Sequence, residues 1–481
     1  MNKNSDFSKK SVSISPHRVL SIDDYNIAMI GEYNNGWCIL PHHDYSKLIR
    51  GLNGKNILFS DYNLPEQKVI MQLWKAGLIL FDGNGYPLSH FSNQDHISLL
   101  LKLTGKCNYS CSYCYDYDSR RFNKKLSFAQ ITETLDYLFP KQKDLLITFH
   151  GGEPLLQFDL IKDIVEYVCK CCPHETNVSY SIQTNGSLFS NEILTFLDEH
   201  KFSVGISLDG NNEYSNRLRH SNNSLSVLKT IEKFVKENQD FVTRRCGFLA
   251  VIHKSSAPFF LEYIDWLQNH GVDGLTIAFL DLEGRARANS YENEYLTPLE
   301  SVSFTKEVID GIRSKKITLR LKPLTSMIGN MHNLVSQSFC NKGPCGASSN
   351  FLVLDASGAY RVCDCTYNKF LEVGSLSERL NSLEKLLLKT QSKIIKRHEW
   401  LRTNHPKCSA CSIFSLCGGT CVAKTISNTG TSWGIDPREC AISTYIYNEL
   451  LKEFMNEGTK SLFDYYRSGK KENTLNNDSK N

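Results

Sequence analysis

The 481-residue sequence lacks any uninterrupted apolar segment of about 18 residues, the length that a membrane-spanning helix requires. Its first residues, MNKNSDFSKKSVS, are polar and contain no apolar core, so a secretory signal peptide is not expected. Lys and Arg exceed Asp and Glu by only 55 to 51, and a net charge of +4 gives no electrostatic reason to expect nucleic acid or an anionic membrane as a partner. These features predict a cytoplasmic protein that binds neither nucleic acid nor membrane.

Cysteine, in contrast, is abundant: the chain has 17 cysteines within an ordinary globular composition of 41% hydrophobic and 22% charged residues. At about 150 residues per domain, the length predicts roughly three domains. In a reducing compartment, closely spaced cysteines bind metals more often than they form disulfides. The spacing of the cysteines therefore carries the main information about function.

Changes in hydrophobic pattern divide the chain into five regions. We expect a polar tail, a winged-helix-like α+β module, a repeated strand–helix core, a cysteine-rich and loop-rich domain, and a C-terminal helix with a disordered tail. In that order, the regions are residues 1–15, 16–95, 96–335, 336–450 and 451–481.

The module at residues 16–95 combines short apolar strands with two helices and a wing. Asn35-Gly36 is a strong hairpin signal between its second and third strands. Ile70, Leu73 and Trp74 have helical spacing, which predicts one buried helix face. The predicted strands are His17–Ile22, Tyr25–Ile30 and Trp37–Leu40, the predicted helices are Asp44–Leu52 and Pro65–Ala76, and the predicted wing begins at Leu78–Phe81.

Residues 96–335 alternate strand and helix patterns, which is typical of a parallel sheet with helical crossovers. Right-handed crossovers allow either a doubly wound sheet or a partial (β/α) barrel. In both folds, functional residues lie at the carboxyl ends of the strands. The six predicted strands are Ile97–Leu103, Leu145–Phe149, Val178–Ile182, Phe202–Ser207, Cys246–Ile252 and Leu275–Leu280.

Three cysteines directly follow the first of these strands, in the pattern Cys107-x3-Cys111-x2-Cys114. Three thiolates can hold three irons of a [4Fe–4S] cluster and leave the fourth iron open for a ligand. A structural zinc site needs four ligands, so the zinc alternative requires a distant fourth residue. Three cysteines this close together cannot all form disulfides with one another.

With this motif after the first strand, the chain resembles the radical S-adenosylmethionine (SAM) superfamily. The resemblance implies a partial (β/α)6 barrel in which Cys107, Cys111 and Cys114 hold the cluster and the open iron binds SAM. It also implies reductive cleavage of SAM to a 5′-deoxyadenosyl radical, which abstracts a hydrogen atom from the substrate. A flavodoxin- or ferredoxin-type donor would supply the electron.

Further matches to this family lie at the ends of successive strands. The pair Gly151-Gly152 follows the second strand, where the family holds the SAM amino group, and Tyr113 fits the usual aromatic residue before the third cysteine. One such match alone would indicate a structural role, whereas four in strand order indicate SAM binding. The implied SAM-binding residues are Tyr113, Gly151, Gly152, Glu153, Gln183, Asn185, Ser207, Asp209, Arg219 and Leu249.

The second cysteine-rich region resembles the SPASM extension of radical SAM enzymes, which carries two auxiliary [4Fe–4S] clusters. The resemblance implies three clusters in all. Zinc remains the alternative, because CxxC followed by two more cysteines is also a zinc-ribbon spacing, and the role of Cys365 stays open. The first implied ligand set is Cys340, Cys345, Cys363 and Cys421, and the second is Cys408, Cys411, Cys417 and Cys440.

Asp364 directly follows Cys363. In sulfatase-maturing relatives, an Asp at this place is the base that takes a proton from the substrate. The resemblance therefore implies a catalytic role for Asp364, and a solvated loop carboxylate is the alternative.

Three functions fit these features. The first is a radical SAM/SPASM peptide maturase that binds the leader of a ribosomally made precursor peptide through its N-terminal module. Such an enzyme would form a crosslink, which could be a carbon–carbon cyclophane, an ether or a thioether. The second is an anaerobic sulfatase-maturing enzyme that makes formylglycine from Cys or Ser. The third, from another class, is a non-catalytic zinc or iron–sulfur binding protein.

Overall fold

The computed structural model describes most of the chain, and the statements below concern that part. The described residues are 7–52, 57–86, 96–221, 226–289, 291–334, 340, 343–347, 349–375, 383–455 and 461–475.

The N-terminal region contains two small antiparallel sheets and two helices. Its strands are β1 (Ser11–Ile14), β2 (His17–Ser21), β3 (Asn26–Gly31), β4 (Trp37–Pro41), β5 (Ile57–Leu58) and β6 (Ile79–Phe81), and its helices are α1 (His42–Leu52) and α2 (Leu64–Lys75). One sheet has the order β2-β3-β4 and the other has the order β5-β1-β6. The three strands and two helices predicted here are thus present.

The β2-β3-β4 sheet lies between two hydrophobic cores. Ile27 and Met29 of β3 pack in a small core with Ile70 and Leu73 of α2. Their neighbours in β3 alternate to the opposite face and pack against the main core of the chain. The sheet is therefore buried on both faces, and only its edges can accept a further strand.

The prediction that residues 1–15 form a polar tail is wrong for residues 11–14, which form β1. β1 pairs with β5 and β6, and Val12 is only 3% exposed. The segment Ser-Val-Ser-Ile alternates polar and apolar residues, and this short period-two pattern forms a strand because its apolar face is covered.

The central region is a parallel sheet flanked by helices. Its strands are β7 (His96–Lys102), β8 (Asp144–His150), β9 (Asn177–Thr184), β10 (Ser203–Ser207), β11 (Cys246–Ile252), β12 (Gly274–Phe279) and β13 (Arg320–Lys322). Its helices are α3 (Phe128–Leu138), α4 (Phe158–Cys171), α5 (Asn191–Glu199), α6 (Val227–Glu237), α7 (Gln239–Arg245), α8 (Phe260–Asn269), α9 (Arg285–Ala288), α10 (Pro298–Arg313) and α11 (Leu324–Asn333). All six predicted strands are confirmed, and they lie side by side in chain order.

The cysteine-rich region is more regular than predicted. It contains β14 (Phe351–Leu354), β15 (Ala359–Arg361), β16 (Glu372–Ser375), α12 (Leu383–Asn404), α13 (Pro406–Ser409), α14 (Phe414–Cys417), α15 (Val422–Thr429) and α16 (Pro437–Met455). β14 pairs in parallel with β7, so the three strands extend the central sheet to ten strands. The expectation of a loop-rich domain is therefore wrong for these residues.

The last described element is α17 (Ser461–Leu475), which confirms a C-terminal helix but extends into the residues after about 466 that were predicted to be disordered. Leu462 and Phe463 are buried, and the hydroxyl group of Tyr465 donates a hydrogen bond to the Leu319 carbonyl at 2.7 Å. These contacts anchor the helix to the central region. Residues 476–481 of the predicted tail lie outside the described part. Among the described helices, none is both long and apolar enough to span a membrane.

Candidate functional site

The loop that carries the first three cysteines begins just after β7 and pairs with the segment around Arg219. The Ser110 amide donates to the His220 carbonyl at 2.8 Å, and the Ser112 amide donates to the Leu218 carbonyl at 2.9 Å. These bonds place Arg219, which is distant in sequence, beside the cysteine loop.

The thiols of Cys107, Cys111 and Cys114 interact electrostatically with one another. Burial raises the pKa of Cys107 to about 12 and that of Cys114 to about 12, and it also raises the pKa of Cys111. Half-buried thiols whose pKa values are raised in this way are protonated at neutral pH, and a bound cation is what holds such groups as thiolates. The donor set thus fits a metal centre.

Arg219 has an unsatisfied donor close to these cysteines. Its Nη2 atom donates to Asp209 Oδ1 at 3.0 Å, and the Tyr113 hydroxyl group donates to the other carboxylate oxygen of Asp209. The Arg219 Nε atom is buried and has no partner in the described structure. A buried, unpartnered guanidinium donor fits an anionic group such as the carboxylate of SAM.

The glycine pair after β8 brings main chain against the cysteine loop. Gly151 and Gly152 have φ angles of 85° and 50°. A Cβ atom on Gly152 would lie 2.0 Å from the Lys106 carbonyl oxygen, and one on Gly151 would lie 2.6 Å from Lys102 Cβ. Both positions therefore require glycine, because the approach is closer than any side chain allows.

Glu153 has a different position from the one expected of a cofactor ligand. Its carboxylate accepts hydrogen bonds from the Asn185 amide at 2.8 Å, the Thr184 hydroxyl group at 2.7 Å and the Leu155 amide at 3.1 Å. Burial raises the pKa of Glu153 to about 7. Glu153 thus fastens the end of β9 to the glycine turn.

The remaining predicted SAM-binding residues lie on three neighbouring strands. Gln183 is on β9 and Asn185 directly follows it, Ser207 ends β10, and Leu249 is on β11. Gln183 Nε2 donates to the Ser207 hydroxyl oxygen at 2.9 Å, and Asn185 Nδ2 lies 3.9 Å from Cys107 Sγ. Leu249 stands opposite Ser207 in the parallel register. The structure therefore brings the predicted residues to one edge of the sheet.

The first auxiliary set of cysteines gathers around Asp364. Cys340 interacts electrostatically with Cys345, Cys421 and Cys365. The ligand atoms of Cys363, Asp364 and Cys365 all lie within 4.8 Å of one another. Cys365, whose role was left open, thus belongs to this set in space.

The second auxiliary set is also brought together. The Cys408 thiol interacts electrostatically with Cys411, Cys417 and Cys440. Burial raises the pKa of Cys408 to about 12 and that of Cys417 to about 11. The two sets implied by the resemblance to the SPASM extension are therefore each grouped in space, and their thiols fit metal ligation for the reason given above.

A buried polar network that sequence reasoning missed surrounds Asp364. The Tyr115 hydroxyl group donates to Asp364 Oδ2 at 3.1 Å and lies 3.4 Å from His150 Nε2. Lys102 Nζ donates to the Asp364 carbonyl oxygen at 2.9 Å and forms a buried ion pair with Asp116. Asp364 is therefore held beside the cysteine loop and the glycine turn, since Tyr115 and His150 adjoin those segments.

One signal for this network was present in the sequence. Lys102 interrupts the apolar run Ser-Leu-Leu-Leu-Lys-Leu, and Tyr115-Asp116 directly follows Cys114. A charged residue in a strand that is otherwise apolar indicates a buried partner, because burial of a lone charge is costly.

The N-terminal module is attached to the second auxiliary set. Arg18 of β2 donates to the carbonyl oxygens of Cys408 at 2.8 Å and Cys411 at 2.7 Å. The Ser412 hydroxyl group donates to the Val19 carbonyl at 2.8 Å. The β2 edge is thus covered, whereas β4, in the described part of the chain, pairs with β3 alone.

Residues 101–267 match the sequence model of the radical SAM superfamily. The chain contains a radical SAM domain. This match confirms the predicted family and fold class, and the family implies a [4Fe–4S] cluster and SAM as cofactors.

Three relatives illustrate the similarity. The radical SAM cyclopropyl synthase TigE of Paramaledivibacter caminithermalis is 22% identical over 489 residues, covering 92% of this chain and 95% of TigE. A cysteine-type anaerobic sulfatase-maturating enzyme of Clostridium novyi is 26% identical, covering 68% of this chain and 87% of that protein. An uncharacterized protein of Methanocaldococcus jannaschii is 33% identical, covering 38% of this chain and 62% of its own length.

Two solved structures share the fold of this radical SAM chain. Native anSMEcpe with bound AdoMet has a TM-score of 0.63 at 19% identity, covering 76% of this chain and all of that chain. Streptococcus suis SuiB bound to the precursor peptide SuiA has a TM-score of 0.51 at 16% identity, covering 89% of this chain and 99% of SuiB.

Proposed function

We propose that this radical SAM enzyme matures a ribosomally made precursor peptide by forming a crosslink within it. The observation that carries the proposal is the N-terminal module, which is fixed to the cysteine-rich region and leaves one sheet edge free. TigE, which is named a cyclopropyl synthase, and SuiB, whose solved structure holds the precursor peptide SuiA, align with about nine-tenths of the chain. The proposal extends that likeness to a peptide substrate here.

The residues of the radical SAM domain would hold its cofactors. When bound, the cluster and SAM supply a 5′-deoxyadenosyl radical that removes a hydrogen atom from the substrate. Cys107, Cys111 and Cys114 would bind the cluster, and the unpartnered Nε of Arg219 would donate a hydrogen bond to the carboxylate of SAM. The Gly151-Gly152 main chain, which lies against the cysteine loop, would face the same cofactor. The two further cysteine sets hold two auxiliary [4Fe–4S] clusters, and a flavodoxin- or ferredoxin-type protein delivers electrons.

Asp364 is the proposed base. A crosslink removes two hydrogens from the peptide: the radical would take one as an atom, and Asp364 would take the other as a proton. The remaining electron would leave through a cluster held by the neighbouring cysteines. The Asp364 carboxylate accepts a hydrogen bond from Tyr115 at 3.1 Å, which holds the carboxylate in one orientation. Its proximity to Cys363 places proton and electron acceptors side by side.

We infer that the leader adds to the free edge of β4. The Gly31 amide donates to the Gly36 carbonyl and the His42 amide to the Tyr25 carbonyl, so the alternating main-chain groups of Trp37 and Ile39 face away from β3. An extended peptide would gain hydrogen bonds there. The α2 residues Ile70 and Leu73 are both buried in the module core, so they are not exposed to contact such a peptide.

The β4 edge allows a sharp test. Ile39→Pro removes an outward-facing amide without breaking the pairing with β3, because proline is tolerated at such edge positions. We expect leader affinity to fall at least tenfold, about 1.4 kcal/mol, the order of one hydrogen bond. Ser21→Pro on the opposite β2 edge is the matched control and should leave affinity unchanged. Equal weakening by both variants, measured by calorimetry on the full chain, would place the leader elsewhere.

The second candidate is an anaerobic sulfatase-maturing enzyme, which Asp364 and the Clostridium novyi relative favour. The two candidates differ in product. The reconstituted enzyme should be incubated anaerobically with SAM, a reductant and either a small precursor peptide encoded beside its gene or a sulfatase-derived peptide. A new bond between two residues, seen by tandem mass spectrometry, supports crosslinking, whereas a hydrazide-reactive aldehyde supports formylglycine. The absence of SAM cleavage would leave the non-catalytic metal-binding alternative.

A further inference from the structure

Arg397 of α12 is a buried cation without a carboxylate partner. The residue is 2% exposed. Its guanidinium group donates to the carbonyl oxygens of Ser432 at 2.7 Å, Gly434 at 2.7 Å and Gly419 at 3.3 Å, and to the Thr425 hydroxyl oxygen at 3.4 Å. Among the described residues, no Asp or Glu forms an ion pair with it. A buried charge without a counter-charge is unfavourable, so an anion is expected nearby.

The hydrogen bond to Gly419 places this cation between the two auxiliary cysteine sets. Gly419 lies midway between Cys417 and Cys421, and these two cysteines belong to different proposed clusters. The Thr425 hydroxyl group, which Arg397 also contacts, donates to the Cys421 carbonyl at 2.8 Å. One guanidinium group thus fixes the short loop from which both clusters take a ligand.

The groups that interact electrostatically with Arg397 are cysteines of both sets. They are Cys421 and Cys345 from the first set and Cys408 and Cys417 from the second. Burial lowers the pKa of Arg397, and these cysteines oppose that effect when they are deprotonated. With iron–sulfur clusters in place, each cluster and its four thiolates carry net negative charge, which would compensate the buried cation.

We propose that Arg397 is the shared counter-cation of the two auxiliary clusters and raises the reduction potentials of both. The inference rests on the proposed function, because it requires both sets to hold iron–sulfur clusters. Reduction adds one electron and one negative charge to a cluster, so a nearby fixed cation stabilises the reduced state. A cation close to both clusters makes each easier to reduce and lessens the repulsion between two reduced clusters.

The test uses the full chain with Cys107, Cys111 and Cys114 replaced by Ala, so that the auxiliary clusters alone give the electron paramagnetic resonance signal. Arg397→Gln removes the charge, Arg397→Lys retains it, and Lys396→Gln removes the same charge from the exposed neighbouring residue as a control. Each reconstituted protein is titrated with reductant while the signals of both clusters and the iron content are recorded.

We expect Arg397→Gln to make reduction of both clusters at least tenfold less favourable, a shift of about 59 mV for a one-electron couple. Arg397→Lys and Lys396→Gln should stay close to the parent. A shift of one cluster only, or of neither, overturns the proposal. If Arg397→Gln loses iron but Arg397→Lys retains it, the positive charge is needed to hold the clusters, which supports the proposal. If both variants lose iron, Arg397 has only a structural role and the proposal is wrong. Failure of the parent to bind about eight irons would instead refute the auxiliary clusters themselves.

Discussion

Replacement of Lys102 by Met should destabilise the central region strongly. Lys102 is 1% exposed, and its ammonium group is paired with the buried carboxylate of Asp116. The substitution leaves that carboxylate without its cation, and breaking a buried pair from one side costs about 3–5 kcal/mol. In the variant, Asp116 still accepts hydrogen bonds from the Tyr367 hydroxyl group at 2.7 Å and from the Gly152 amide at 3.2 Å. Because these bonds partly stabilise the carboxylate, we expect a loss of stability in the lower half of that range.

A second substitution should recover most of the loss. In Lys102→Met with Asp116→Asn, no charge remains buried, and the amide oxygen can still accept from Gly152 or Tyr367. We expect the double variant to lie within about 1.5 kcal/mol of wild type, because removal of both charges abolishes the unpaired ion. Lys106→Met, on an exposed residue of the same segment, is the control and should change stability by no more than about 0.5 kcal/mol.

The assay is anaerobic urea denaturation of the reconstituted proteins, followed by circular dichroism at fixed pH. The urea concentrations at the transition midpoints of the four proteins are compared. If the slope of unfolding free energy against urea concentration is the same in all four, differences between midpoints measure differences in stability. A Lys102→Met midpoint equal to that of the control would refute the reasoning, because it would show that Asp116 is solvated or neutral. A double variant as unstable as the single variant would show that packing of the lysine stem, and not its charge, supports the site.

Three further predictions concern the site itself. Replacement of Cys107, Cys111 and Cys114 by Ala should abolish SAM cleavage and remove about a third of some 12 irons; continued formation of 5′-deoxyadenosine by this variant would exclude the assignment. Asp364→Asn should retain SAM cleavage while modified peptide falls by about 100-fold, the usual effect of losing a general base; full product formation would mean that the residue is only a loop carboxylate. Because burial raises the pKa of Glu153 from 4.5 to about 7, its protonated form favours the folded state, and stability should fall by about 3 kcal/mol as pH rises from about 4.5 to about 7. Urea midpoints across that range should decline less in Glu153→Gln, and parallel curves for the two proteins would contradict the assignment of this dependence to Glu153.

The strands of the central region could be predicted from the sequence because each is a continuous apolar run between helices. The strands that were missed are short. β1 has only two apolar residues, Val12 and Ile14, and β14 is a run of four residues inside a cysteine-rich segment. Both become strands through partners far away in the chain, since β14 pairs with β7. Local pattern carries no information about such pairing.

In the candidate site, too, some features could be predicted from local sequence, whereas others depend on residues far apart in the chain. The first cysteine group could be predicted from its short spacing, the two auxiliary groups follow from the resemblance to the SPASM extension, and the structure brings the members of each group together. The network around Asp364 could not, because Lys102 reaches the Asp364 carbonyl across 262 positions of sequence. Arg397 likewise sits on a helix that carries none of the predicted cysteine ligands. Long-range polar contacts of this kind depend on how the helices and the sheet pack together, and no single segment of the sequence determines that packing.

The attachment of the N-terminal module bears on how its function should be tested. Arg18 donates hydrogen bonds to the carbonyl oxygens of Cys408 and Cys411, and the Ser412 hydroxyl group donates to the β2 edge. Deletion of residues 16–95 would remove Arg18 and uncover the part of the main core on which the β2-β3-β4 sheet packs. A deletion would therefore disturb the second cysteine set as well as any peptide site, and loss of activity would not identify its cause. A substitution at the free edge of β4 leaves the hydrogen bonds of Arg18 and Ser412 in place, so it can separate recognition of the leader from support of the cysteine-rich region.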